Sequence, residues 1–152
     1  MNFENIIHFG SLNDLEISKL EQIVAVCFPE DYKSFLVQTN GGIPKEGYLA
    51  LKASTLEEDL LINSFLGVNE DDNFDFVGWN EEYGDELPDS TFIFGIEYGG
   101  GMFIHITEGE DKGVYFWDSN WSFPESSEDE NVYFLADSFS DFLSMVIFKR
   151  TL

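Results

Sequence analysis

Phe28-Pro29-Glu30-Asp31-Tyr32-Lys33-Ser34-Phe35-Leu36, closed four residues later by Asn40-Gly41-Gly42, is the stretch on which the reading of this chain turns. Proline near the first position of a helix costs little, because the N–H it lacks would be unpaired there. Glu30 and Asp31 complement the positive end of the helix dipole. Tyr32, Phe35 and Leu36 fall on one apolar face. Asn-Gly-Gly then stops the helix, since glycine tolerates the left-handed backbone of a C-cap. The segment predicts an amphipathic helix with a defined start and stop, packed through aromatic side chains.

Upstream, Ile17, Leu20, Ile23 and Val24 keep helical spacing behind Asp14, a candidate N-cap, so residues 14–38 read as two successive helices. Cys27 is the only cysteine, which rules out an internal disulfide. Its place in the apolar run Ile23–Phe28 predicts a buried, inert thiol. Downstream the period changes from helical to extended. Tyr48–Leu51, Leu60–Leu66, Phe92–Ile96, Met102–Thr107 and Val114–Trp117 read as short strands between Gly-rich or acidic turns. Glu108–Lys112 joins two of them as a hairpin, and Asn73–Tyr83 is a candidate short helix holding Phe74, Val77 and Trp79. A capped start at Asp137-Ser138-Phe139 predicts a closing helix through about Phe148, with Lys149 and Arg150 at its C-terminal end. The expectation is an α+β fold with residues 1–152 as one domain. Two N-terminal helices and one C-terminal helix pack beside a mainly antiparallel or mixed sheet.

Length and composition support a real core: 152 residues, 43% hydrophobic, with sixteen Phe. Disordered acidic chains lack that aromatic content. Residues 1–10 have no basic start followed by an apolar run, and no apolar stretch is long enough to span a bilayer, so a cytoplasmic protein is expected. Net charge is −23, and between Ala53 and Asp111 there are sixteen Asp and Glu and no Lys or Arg. Such a field repels nucleic acid and anionic membranes and steers a cationic partner. Acidity also serves solubility, so charge alone does not establish a site.

Asp71, Asn73, Asp75 and Glu82 match positions 1, 3, 5 and 12 of a calcium loop, but Phe76 stands where position 6 needs glycine. A solvated acidic loop fits better. Gly99-Gly100-Gly101 has no following Lys and no helix to cradle phosphate, and reads as a turn between strands. His8, His105 and Cys27 give no zinc spacing, and nothing supports a Cys/His catalytic pair. Carboxylates are too abundant for any pair to single out acid–base chemistry. No catalytic, cofactor-binding or metal-binding residue is assigned. Trp117 reads as core, whereas Trp121 sits in loop-like sequence.

Four segments, in order, resemble the SUKH superfamily, the Smi/Knr-like proteins. The opening stretch matches its LP-x-x-[YF]-x-x-[FL]-L…NGG pattern, with Phe28 for the usual leucine. Phe94-Gly95…Gly99-Gly100-Gly101 and Gly113-Val114-Tyr115-Phe116-Trp117-Asp118 fall where the family has a Gly-rich turn and a strand ending in Asp. Ala136-Asp137-Ser138-Phe139-Ser140-Asp141-Phe142-Leu143 is similar to its A-x-S-F-x-x-F-L helix. Met102 stands where the family's turn is often followed by Asp, so a role for that Asp does not transfer. The resemblance implies an α+β domain that binds rather than catalyses. Bacterial members are typically immunity proteins against polymorphic or contact-dependent toxins, often nucleases or other nucleic-acid-modifying enzymes; fungal members act as regulatory adaptors. The first expectation is therefore a non-enzymatic immunity protein whose partner is a basic toxin, with neither nucleic acid nor membrane as ligand and no cofactor. The alternative is an adaptor with no toxin partner. Charge location nominates Glu70, Asp71, Asp72, Glu81, Glu82, Asp85 and Glu86 as contacts, with Tyr98 and Trp121 as aromatic anchors. The sequence does not specify oligomeric state.

Overall fold

The Asn-Gly-Gly stop is where helix and sheet are tied together. In a computed structural model describing residues 3–152, the second helix, α2 (Glu30–Thr39), begins behind Pro29 and ends on Asn40, which itself takes the left-handed conformation (φ 52°, ψ 37°). The Asn40 side chain accepts from Val68 N at 2.7 Å and donates to Val68 O at 2.9 Å. Gly41 follows at φ 79°, and a Cβ on it would meet the Phe65 carbonyl oxygen at 2.5 Å. The chain thus passes too close to the sheet for any side chain, which is the physical content of that motif.

The first strand β1 (Ile6–His8) precedes α1 (Asp14–Val24), whose cap is Asn13 rather than Asp14. Asn13 Oδ1 accepts from Glu16 N while Glu16 Oε1 accepts from Asn13 N, a reciprocal capping box. After α2 come β2 (Gly42–Pro44), β3 (Tyr48–Leu51) and β4 (Leu60–Phe65). Next are α3 (Phe76–Tyr83) with a 3-10 turn at Gly84–Glu86, β5 (Thr91–Glu97), β6 (Met102–Ile106), β7 (Gly113–Trp117) and β8 (Val132–Ala136). The described chain closes with α4 (Phe139–Met145) and β9 (Ile147–Lys149). The strands form one sheet in the order β1-β2-β4-β5-β6-β7-β8, with β3 bridging β4 and β9, and every strand pairing is antiparallel. The α+β expectation holds, with β5 to β8 as an antiparallel meander and the β6–β7 hairpin in register from Met102↔Trp117 to Ile106↔Gly113.

Three further expectations are corrected. The closing helix stops at Met145; Val146 is extended (ψ 128°) and Ile147–Lys149 pair with β3 instead. β-branched Val146 and Ile147 favour that strand. Lys149 consequently serves no helix dipole and reaches Asp59 at 2.9 Å, while Arg150 faces Glu46 at 4.0 Å. Cys27 is exposed, not buried. The link after the left-handed Ala25 runs extended across the surface, so Val26 and Phe28 point inward and Cys27, between them, points out. Trp117, expected in the core, is only half-buried.

The core is an aromatic cluster between the helices and one face of the sheet. Phe139, fully buried, lies 5.0 Å from Tyr32, 5.2 Å from Phe35 and 5.3 Å from Phe94 between ring centroids. The Tyr32 hydroxyl is buried there with no hydrogen-bond partner among the described residues, and burial pushes it well above the usual tyrosine range. Tyr32→Phe is expected to raise the unfolding free energy by about 1–2 kcal/mol in a urea titration, because it removes a desolvated, unpaired hydroxyl at almost no change in shape.

His105 sits on the same sheet face, 1% exposed, with Nδ1 unpartnered. Burial pushes it down to about 4; the Asp31 carboxylate opposes this shift and the Lys112 ammonium adds to it. A folded pKa below the unfolded value near 6.5 means the unfolded chain takes the proton first. Stability from this group is therefore complete above pH 6.5 and is lost as pH falls towards 4, by on the order of 3 kcal/mol. His105→Phe is expected to remove that loss. Comparing the two proteins by urea titration at pH 7 and pH 4.5 isolates the imidazole from the titrating carboxylates.

Candidate partner-binding surface

The acidic run folds into a built element. Gly67 to Asp75 forms a loop held by its own side chains: Asp71 N donates to Asn69 Oδ1, Asn73 N to Asp71 Oδ1, and Asn69 N to Asp75 Oδ1. Asp75 also caps α3 by accepting from Gly78 N at 3.2 Å. Two of the calcium-loop oxygen donors are thus spent on local turns. Among the described residues, no three His, Cys, Asp or Glu side chains are grouped to hold a metal ion.

Buried Asn80 then anchors α3 to the sheet. Its Oδ1 accepts from Ile93 N at 2.8 Å, and its Nδ2 donates to Ile93 O at 3.0 Å. Pairing of β4 with β5 ends at Phe65↔Gly95 and the bond from Leu66 N to Phe94 O, so the Ile93 backbone lies past the end of β4 and takes the amide instead. The sequence reading did not single out this asparagine, although an amide among apolar neighbours in a candidate helix was the available signal. The consequence is a rigid presentation of the carboxylates around it.

Glu81 and Asp85 line a cleft of about 500 Å³ between the end of α1 and the start of β5, joined there by Asp89, which charge location did not nominate. Ile23, Val24, Leu87 and Pro88 supply its apolar walls. The last turn of α1 has no basic residue, so its carbonyl end adds negative potential to the cleft. The arrangement suits the alkyl stem and cationic head of a long basic side chain.

The other nominated residues are placed differently. Glu70, Asp71 and Asp72 are exposed on the loop before α3, and Glu82 and Glu86 are exposed beside Tyr83 and Leu87. Tyr98 (50% exposed) and Trp121 (53%) lie beyond the far end of β5, where Asn120 and Ser122 both hydrogen-bond to Gly99 O. Seven residues of extended chain, about 23 Å, separate Tyr98 from the Thr91 end that borders the cleft. The acids thus share one segment, and the two aromatics belong to a different part of the surface.

Two acids within the family-like motifs are structural. Asp118, fully buried, accepts from Ser122 N at 2.9 Å and Phe123 N at 3.0 Å. Glu97 accepts from Gly99 N at 2.6 Å and Leu61 N at 3.0 Å, and burial, with the Asp118 charge adding, pushes it above the usual carboxylate range. Gly99-Gly100-Gly101 is the expected tight turn: Gly100 N donates to Glu97 O, and a Cβ on Gly101 would strike the Phe116 ring at 2.5 Å.

His105 and Cys27 line a second cleft of about 320 Å³ with Asp31, Lys112 and Ser138, but no hydrogen bond joins the two. No helix among the described residues is long and apolar enough to cross a membrane.

A search of curated proteins finds no match to the chain. A family profile, SMI1 / KNR4 family (SUKH-1), matches residues 11–145, from just before α1 to the end of α4, and so takes in both helical motifs, the Gly-rich turn and Asp118. With most of its length matched, and with those motifs serving as helix stop, strand turn and closing helix, the chain belongs to the SMI1/KNR4 (SUKH-1) family.

Proposed function

We propose that this chain is an immunity protein that binds and neutralises a basic protein toxin, a nuclease or other nucleic-acid-modifying enzyme, and that it does so by occupation rather than catalysis. Family membership is consistent with that role. The observation that carries the reading is the cleft of Glu81, Asp85 and Asp89 beside the carbonyl end of α1, in a stretch free of Lys and Arg. An enzyme that works on nucleic acid carries a basic surface for phosphates, and the carboxylates of α3 and the segment after it compete for that surface as charge mimics. Glu70, Asp71, Asp72, Glu82 and Glu86 extend the contact. Tyr98 and Trp121 join it only within a footprint of standard size, about 800 Å² per partner. The protein meets its toxin in the cytoplasm, as one domain over 1–152.

Co-expression with the protein encoded beside it tests the reading. Rescue from toxicity together with co-purification is the expected result. A neighbouring toxin that still kills in the presence of the folded chain would refute it, and the absence of any toxin gene nearby would favour the regulatory adaptor.

A further inference from the structure

The second face of the sheet carries a feature that the acidic cleft does not use. Phe116 packs against Phe103, and Phe103 against Phe142 of α4, so that face of β7 looks at the helices. Side chains alternate along a strand, which puts Tyr115 and Trp117 on the opposite face. There the Tyr83 ring meets Trp117 edge-on at 6.1 Å and stacks with Trp79 at 5.6 Å. Tyr115 meets Phe134 of β8 edge-on at 5.4 Å. Trp79, Tyr83 and Trp117 thus form one ring cluster and Tyr115 and Phe134 a second, and because Tyr115 and Trp117 are two residues apart on one face of β7 the two line up as an aromatic ridge from α3 across β7 to β8. Trp79, Tyr83, Tyr115 and Trp117 are half-buried and Phe134 is 49% exposed, so ring surface stays open to solvent. β8 ends the strand order, and Val132, 50% exposed on the same face, widens the patch.

The charge beside the ridge is of one sign. Glu82 is three residues after Trp79 on α3 and shares its helical face, and Glu86 is three after Tyr83, stacked by the 3-10 turn. Both are exposed, and neither has an ion-pair partner among the described residues. The solvent-facing parts of these indole and phenol rings, next to carboxylates without an ion pair, match a planar guanidinium, which stacks on the ring and donates in its own plane to the carboxylate. A second copy of this chain, at net charge −23, would bring like charge to the same place. We infer that the ridge is a docking face for an arginine-bearing segment of a protein partner, with Trp79, Tyr83 and Trp117 taking the guanidinium and Glu82 and Glu86 fixing its orientation. This deepens the immunity reading, and rests on it only for the identity of the partner.

The test uses the whole chain carrying Trp121→Phe, so that Trp79 and Trp117 are its remaining indoles. It is titrated with hexa-arginine and hexa-lysine peptides at 150 mM salt, following indole fluorescence. The expected result is a fluorescence change with hexa-arginine and affinity about threefold or more above hexa-lysine, since stacking and bidentate pairing favour guanidinium. Glu82→Gln/Glu86→Gln keeps shape and is expected to weaken hexa-arginine about fivefold. Phe134→Ala, at an exposed position, is expected to weaken it about twofold. Glu57→Gln/Glu58→Gln, the same charge change elsewhere, should leave it within twofold. Equal affinity for both peptides, or equal losses in both Gln pairs, would mean unlocalised charge attraction and overturn the inference. A chain that behaves as expected here yet protects against no toxin would retire the immunity reading alone. Protection with peptide binding indifferent to Glu82 and Glu86 would retire this inference alone.

Discussion

Phe139→Ala is expected to lower the unfolding free energy by about 3–5 kcal/mol, the cost of emptying a phenylalanine site in a packed core. Phe139 is the first residue of α4 and is fully buried. Its ring is at once the contact of the closing helix with Tyr32 and Phe35 on α2 and with Phe94 on β5. Few routes exist for the site to collapse, because the surrounding rings already touch one another: Tyr32 lies 4.8 Å from Phe92, and Phe94 lies 5.2 Å from Phe142. Asp31 Oδ2 accepts from Ser140 N at 2.9 Å, a second tie between the same helices. The variant is therefore expected to lose α4 docking as well as ring burial. Chemical denaturation followed by near-ultraviolet circular dichroism checks this. A loss under 1 kcal/mol would mean that α4 does not close the core.

Glu81→Lys/Asp85→Lys/Asp89→Lys is expected to weaken binding to the toxin by about 100-fold or more, on the order of 3 kcal/mol. All three side chains are exposed and line one cleft, so reversal replaces attraction by repulsion at a single place. Stability should move by no more than about 0.5 kcal/mol, because none of the three is an anchor of α3; that role belongs to Asn80 and Asp75. Glu57→Lys/Glu58→Lys/Glu128→Lys changes net charge equally on other exposed positions and is expected to keep affinity within about tenfold. Calorimetric titration of the three proteins separates the cleft from the total charge.

The elements that were legible in the sequence are those with a period and a stop. α2 announced itself by Pro29, its aromatic face and Asn-Gly-Gly, and β6–β7 by alternation around an acidic turn. β1, β2, β8 and β9 were not legible: three residues are too few for a period in β1, β2 and β9, which exist by pairing with other strands, and Val132-Tyr133-Phe134-Leu135-Ala136 of β8 is apolar throughout and shows no alternation. β9 hid inside an apparent helix, since Val146-Ile147-Phe148 is apolar in either conformation and only β3 decides between them. The apolar run around Cys27 does not bury the thiol, because side chains alternate along an extended link and Val26 and Phe28 take the inward positions. The acids of the candidate surface could be counted but not sorted. Residue numbers do not reveal that Glu81 and Asp85 face α1 while Glu82 and Glu86 flank an aromatic ridge. That division depends on the rotation of α3, which Asn80 fixes through a backbone contact thirteen residues away.

The rate of association with the toxin recovered by co-expression, followed by stopped flow across ionic strength, tests the central claim most directly. Electrostatic capture by the α3 segment predicts a rate constant near 10⁸ M⁻¹s⁻¹ at low salt, on the order of the steered range, falling at least tenfold by about 0.5 M salt while dissociation changes little. The cleft-reversed protein should begin near the neutral range of about 10⁵–10⁶ M⁻¹s⁻¹ and show almost no salt dependence. A wild-type rate already in that neutral range and indifferent to salt would contradict an acidic surface as the means of recognition.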